Sequence, residues 1–108
     1  MAETYKILGQ TSPLATTETD LYVVPAATAA VISTVVVCNR GVAATFRVSI
    51  SPSGAATDPK DFLYYDLPIV DNDTFAATFG LTLSATDVVR VYSSSTDLSF
   101  SIFGTERT

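Results

Sequence analysis

From Thr74 to Leu83 the chain alternates without a break. Phe75, Ala77, Phe79, Leu81 and Leu83 take one parity, and Thr74, Ala76, Thr78, Gly80 and Thr82 take the other. A period of two predicts a strand with one face on a core and one toward water, with Gly80 marking a bulge. Thr45 to Ser51 repeats the pattern: Phe46, Val48 and Ile50 are predicted inward, and Thr45, Arg47, Ser49 and Ser51 outward. Ala30 to Cys38 is different, because both parities are apolar. Val31, Val35 and Val37 oppose Ile32, Val36 and Cys38, which predicts a strand covered on both faces. Asn39-Arg40-Gly41 tolerates positive φ, so these two strands read as a central hairpin.

The remaining segments are short. Thr4–Leu8, Leu21–Val24 stopped by Pro25, Phe62–Leu67 stopped by Pro68, Val88–Tyr92 and Leu98–Thr105 all read as strands, the last two joined by a polar hairpin loop over Ser93–Asp97. No stretch shows a helical period with caps. The expectation is an all-β chain: a single β-sandwich of about eight short antiparallel strands, with jelly-roll or immunoglobulin-like connectivity. Residues 1–20 read as an N-terminal strand and an extended Thr-rich arm, which crosses the end of the sandwich or reaches to a neighbour. Residues 21–108 form the sandwich, one domain overall. The loop Pro52–Pro59, rich in turn residues, is the predicted mobile or partner-contacting segment.

Composition removes most chemistry. The chain of 108 residues has no His and a single Cys, Cys38, so the commonest general base, paired thiolates for zinc and an internal disulfide are all missing. It also lacks a glycine-rich phosphate loop and a nucleophile elbow. No catalytic residue and no cofactor is predicted, and the chain reads as a non-enzyme. Asp71, Asn72 and Asp73, with Asp66 and Asp87, form the one acidic cluster, read as turn residues rather than a cation site. Net charge is −5, with six basic residues scattered along the chain, so nucleic acid is not an expected partner. The N-terminus has no apolar run of signal-peptide kind, and Val23–Cys38 is too interrupted to span a membrane.

Surface chemistry carries the rest. Tyr64 and Tyr65 are adjacent on one strand and must face opposite ways, so one is free to join Tyr22 and Tyr92 on an interface or sugar-binding surface. Ile32, Val36, Ala43, Ala44, Ala76, Val88 and Phe103 exceed what one core needs on outer faces. Contiguous apolar surface of this kind predicts a homo-oligomer, a trimer among the possibilities, or a subunit docked on a larger assembly. Ile32, Val36, Tyr22, Tyr65, Tyr92 and Phe103 are the candidate interface residues.

The order DLYVVPA, an apolar strand ending in CNRG, then TFRVSIS, FLYYDLPI, DNDTF, LTLSATDVVRVYSS and SFSIFGTE resembles small β-sandwich proteins of tailed bacteriophages, from Asp20 to Glu106. The resemblance implies a virion structural component without catalytic residues, assembled in the host cytoplasm. A capsid decoration or cement protein bound to the major capsid protein is the first expectation. A tail, baseplate or fibre-attachment component is the second, and a host-glycan-binding module is the third.

Overall fold

The computed structural model describes residues 2–108. Its strands are β1 (Glu3–Thr11), β2 (Thr19–Val23), β3 (Ala29–Asn39), β4 (Ala44–Ser51), β5 (Phe62–Ile69), β6 (Thr74–Leu83), β7 (Val88–Ser93) and β8 (Leu98–Arg107), with short 3-10 turns at Pro52–Gly54 and Pro59–Asp61. They form two four-stranded antiparallel sheets, ordered β1-β8-β3-β6 and β2-β7-β4-β5. The expected all-β sandwich of eight strands is what the chain builds. Four of the pairings nest one inside the next: β1 with β8, β2 with β7, β3 with β6, β4 with β5. The order is that of one long hairpin rolled into two layers.

The core lies between the layers. Phe46, Phe100, Ile32, Leu98 and Ile102 are its largest fully buried side chains. Phe46 is central, its ring 5.4 Å from Phe75 and 6.0 Å from Phe100 by centroid, in tilted and edge-on arrangements that aromatic quadrupoles favour.

Rolling the hairpin changes several local expectations. β3 and β4 do not pair with each other. β3 lies between β8 and β6, whereas β4 lies between β7 and β5, so residues 40–43 cross from one sheet to the other. The Ser93–Asp97 region crosses likewise between β7 and β8. Positive φ at the first crossing is not what Asn39 supplies. Asn39 is buried, and its amide Nδ2 donates to the carbonyls of Val42 (2.8 Å), Val70 (3.1 Å) and Ile69 (3.3 Å), while Oδ1 accepts from the Gly41 N–H. One side chain thereby ties the β3–β4 crossing to the end of β5.

β3 also changes phase midway. Ile32 pairs with Gly104 and Leu81, but Thr34 pairs with Phe103 and Thr78, so Ser33 is an extra residue against β8 and faces Phe79 and Gly80 on β6. Gly80 thus sits in the irregularity expected of it. The bulge sends Ala30 and Ile32 inward before it and Val35 and Val37 inward after it. Ile32, expected on an outer face, is therefore a core residue.

On β4 the predicted wet face is only half wet. Ser49 and Ser51 are buried beneath the 52–61 segment, which also covers Val88. Arg90 holds that segment in place. Its guanidinium donates to Ala55 O (2.6 Å), Ser51 Oγ (2.9 Å), Gly54 O (3.3 Å) and Thr57 Oγ1 (3.3 Å), and its Nε to Asp20 Oδ1 (2.9 Å). Asp58 and Asp61 cap the second turn reciprocally. Of the two expectations for this loop, mobile or partner-contacting, the first is not met: the segment is pinned as a cover. Ala44 and Val88, two more expected surface residues, are buried for these reasons or as part of the core.

Pro68 lies within β5 rather than ending it, which is compatible with the place of β5 at the edge of its sheet. The arm crosses its own domain. Pro13 is buried, the Thr16 N–H donates to Ser93 O at 2.8 Å, and Arg40 Nη2 reaches Ser12 Oγ at 2.9 Å.

Candidate protein interface

The six residues singled out from sequence divide three ways. Ile32 is fully buried and Tyr22 is 8% exposed, so neither lies on a surface. The Tyr22 ring lies between the sheets, and its hydroxyl donates to Glu106 Oε2 at 2.5 Å. Glu106 in turn meets Lys6 Nζ at 2.9 Å. Tyr65 and Tyr92 belong to the outer face of the second sheet. Val36 and Phe103 are half-buried on the outer face of the first. Two opposite surfaces result.

The second sheet's uncovered half carries a stripe running across β5, β4 and β7. The Arg47 guanidinium sits 4.2 Å from the centroids of both Tyr65 and Tyr92. Asp66 completes the arrangement, accepting from Arg47 Nε at 2.7 Å and from Nη2 at 3.4 Å. Phe62 meets the Tyr65 ring edge-on at 4.9 Å. Stacking and a carboxylate pair fix the arginine before any partner arrives, which reduces the side-chain entropy lost on docking. Tyr and Arg are the residues that dominate protein contacts. For a sugar the stripe is less suitable: Tyr65 and Tyr92 already stack on Arg47, Tyr22 is buried, and Tyr64 packs inward on Phe46 and Phe75.

The first sheet's outer face is organised by register. Tyr5, Thr105, Val31 and Thr82 make one cross-strand row, Ile7, Phe103 and Thr34 the next, and Glu3, Arg107 and Ala29 the end row. Tyr5 is 78% exposed, Ile7 53% and Val31 42%. Hollows flank Tyr5 on both sides, one lined by Ala29, Val31, Thr82 and Thr105, the other by Ile7, Ser33 and Phe103. The Glu3–Arg107 ion pair, at 2.8 Å, closes one end. Sequence reasoning missed Tyr5, Ile7 and Arg47, since each matters only through its cross-strand neighbours.

The acidic residues do not converge. Asp66 binds Arg47, and Asp87 accepts the N–H groups of Ser53 (2.9 Å) and Ser84 (2.8 Å), away from the Asp71–Asp73 turn. Among the described residues no three potential metal ligands gather, and no helix is long and apolar enough to cross a membrane. The hydrogen bonds from Tyr22 and Lys6 hold the Glu106 carboxyl below its ordinary range, and burial, then the Glu106 bond, pushes the Tyr22 phenol up. Both shifts describe a satisfied structural contact rather than a poised acid or base.

Comparison with family models, with curated proteins and with solved structures finds no match to the chain.

Proposed function

We propose that the chain is a non-enzymatic structural subunit of a bacteriophage virion, a decoration or cement protein that bridges capsid subunits. The observation that carries this reading is the presence of contact-type surfaces on both outer faces of an 11.4 kDa sandwich: Tyr65-Arg47-Tyr92 on one, Tyr5, Ile7 and Val31 on the other. An isolated domain of this size rarely leaves contiguous apolar surface on an outer face. A subunit that joins two neighbours needs two such faces.

In this reading the nested strand order is taken as a jelly roll rather than an immunoglobulin-like sandwich, two layers each with one outer face. The residues resembling phage β-sandwich proteins run through both layers. In this reading each copy adds a modest interface across a seam between capsomers, and many copies together resist the outward pressure of packaged DNA. Net charge of −5 favours the solvent side of a shell over its DNA side. The major capsid protein is the first partner and a tail protein the second.

Counting copies per purified particle by quantitative mass spectrometry tests the reading. Near-stoichiometry with the capsid protein is the expected result. A handful of copies moves the subunit to the tail, baseplate or fibres, and absence from particles overturns the virion assignment.

A further inference from the structure

We propose that the free edge of β6 over residues 74–78 is a strand-addition site. Its occupant is a short extended segment of another protein, apolar at alternate positions and basic at one end. The proposal goes beyond the reading as an assembly subunit, since main-chain pairing asks only for an extended partner.

A sheet edge presents N–H and C=O groups at strand spacing, and their complement is another extended chain. Four strands end the two sheets: β1 and β6 in the first, β2 and β5 in the second. Three of them are blunted. β1 carries Glu3 and Lys6 and breaks register after Ile7. A methyl on Gly9 would collide with the Leu21 carbonyl oxygen, so β1 and β2 also approach each other backbone to backbone. β2 is five residues long and irregular between Asp20 and Tyr22. β5 contains Pro68, which has no N–H, breaks register twice against β4 and holds Asp66 at a φ of 51°.

The first half of β6 has none of these devices. The strand includes no proline and no charged residue, and residues 74–78 pair one for one with residues 34–38 of β3 before the irregularity at Phe79 and Gly80. Charges, prolines and bulges are what keep edges from pairing. Where all three are missing, the edge is left open.

Side chains define the occupant. Phe75 and Ala77 point inward and are half-buried, with the Phe75 ring 5.2 Å from Tyr64 of β5, while Thr74, Ala76 and Thr78 are exposed on the outer face. A strand laid along this edge sets one parity beside Phe75 and Ala77, where apolar side chains extend the core. The other parity stands in water beside the threonines.

Charge selects the flank. Asp71 and Asp73 are exposed in the turn that leads into β6, and among the described residues neither carboxylate has an ion-pair partner. They favour Lys or Arg on the incoming segment. A second copy of β6 supplies no such cation, and each copy brings a net charge of −5.

The probe is a synthetic peptide of alternating Thr and Val ending in Lys-Lys, titrated to roughly 1 mM into the nitrogen-15-labelled chain. Antiparallel pairing, the only kind in these sheets, puts its C-terminus beside Asp71 and Asp73. Amide shifts should be confined to residues 71–78 and their β3 partners. Alternate N–H groups of an added strand face the edge, so N-methylation of one alternate set should abolish binding and of the other set should spare it. Asp71→Asn with Asp73→Asn should raise Kd roughly threefold, the scale of exposed charge pairs; an unchanged Kd overturns the basic end. The site is overturned by no binding, by shifts centred on Tyr5 or Tyr65, or by equal effects of the two methylation patterns. A free chain already dimeric, with residues 74–78 protected from hydrogen exchange, gives the edge to a second copy and overturns the occupant.

Discussion

The Tyr22 hydroxyl and Glu106 Oε2 lie 2.5 Å apart, joining β2 of one sheet to β8 of the other. The carboxylate is held below its ordinary range chiefly by this bond, then by Lys6. A group with a lowered pKa stabilises the fold above the unfolded value, about 4.3 for glutamate, and loses that contribution as pH falls through the folded value. Tyr22→Phe should therefore cost about 2 kcal/mol at neutral pH, the scale of a hydrogen bond to a charged group, and less in acid. Urea unfolding at pH 7 and pH 3 measures both. The raised phenol has the opposite sense: its contribution is present below about pH 10 and fades above it.

Asn39 shares its two amide hydrogens among three carbonyls while buried. Asn39→Leu should destabilise by about 2–4 kcal/mol, because buried carbonyls lose their donor. Asn39→Asp should be worse, placing a carboxylate against those same oxygens. Thermal unfolding of the two variants gives the order.

Two glycines separate steric need from conformational habit. A methyl at Gly104 would lie 2.0 Å from the Val31 carbonyl oxygen, across the β3 bulge, whereas one at Gly80 meets nothing within 4 Å. Gly104→Ala should lose about 2–3 kcal/mol, and Gly80→Ala should be neutral or gain a few tenths, about 0.5 kcal/mol, from reduced freedom of the unfolded chain. Denaturant midpoints decide.

Arg90 is the staple over the second sheet. Arg90→Met removes its hydrogen bonds to Ser51, Gly54, Ala55 and Thr57. Limited proteolysis within residues 52–59 should then accelerate roughly tenfold, since local opening governs cleavage. Equal rates would mean that the Asp87 bond to the Ser53 N–H and the Asp58–Asp61 cap hold the cover without Arg90.

How far these features were legible depended on whether one face was wet. β6 was read correctly along its length because its threonines mark the solvent side, and Gly80 pointed to the irregularity. β3 was not, because with both parities apolar nothing in Ala30–Cys38 reveals that Ser33 shifts the phase, and so Ile32 was placed outside. That Tyr64 and Tyr65 face opposite ways follows from adjacency alone, whereas which of them is outside is visible only in the structure. Tyr22 was misplaced because a bulge between Asp20 and Tyr22 buries two consecutive side chains, Leu21 and Tyr22. The stripe on the second sheet was hidden for another reason. Tyr65, Arg47 and Tyr92 are neighbours only once β5, β4 and β7 are known to lie side by side, and strand order is not written in alternation. The available signal was Arg47 itself, a mid-strand cation that needs a cross-strand partner.

The outermost nested pair, β1 with β8, brings Ala2 and Thr108 together, each donating its N–H to the other's carbonyl at 3.2 and 2.9 Å. Anything attached before the one and after the other leaves the domain at a single point, like two cords from one knot. The same clasp is among the contacts of longest sequence separation, the kind that carries the largest loop-closure cost in folding. β8 occupies an interior lane of its sheet, between β1 and β3, so β1 waits for a partner nearly the whole domain away in sequence before it has a place to lie.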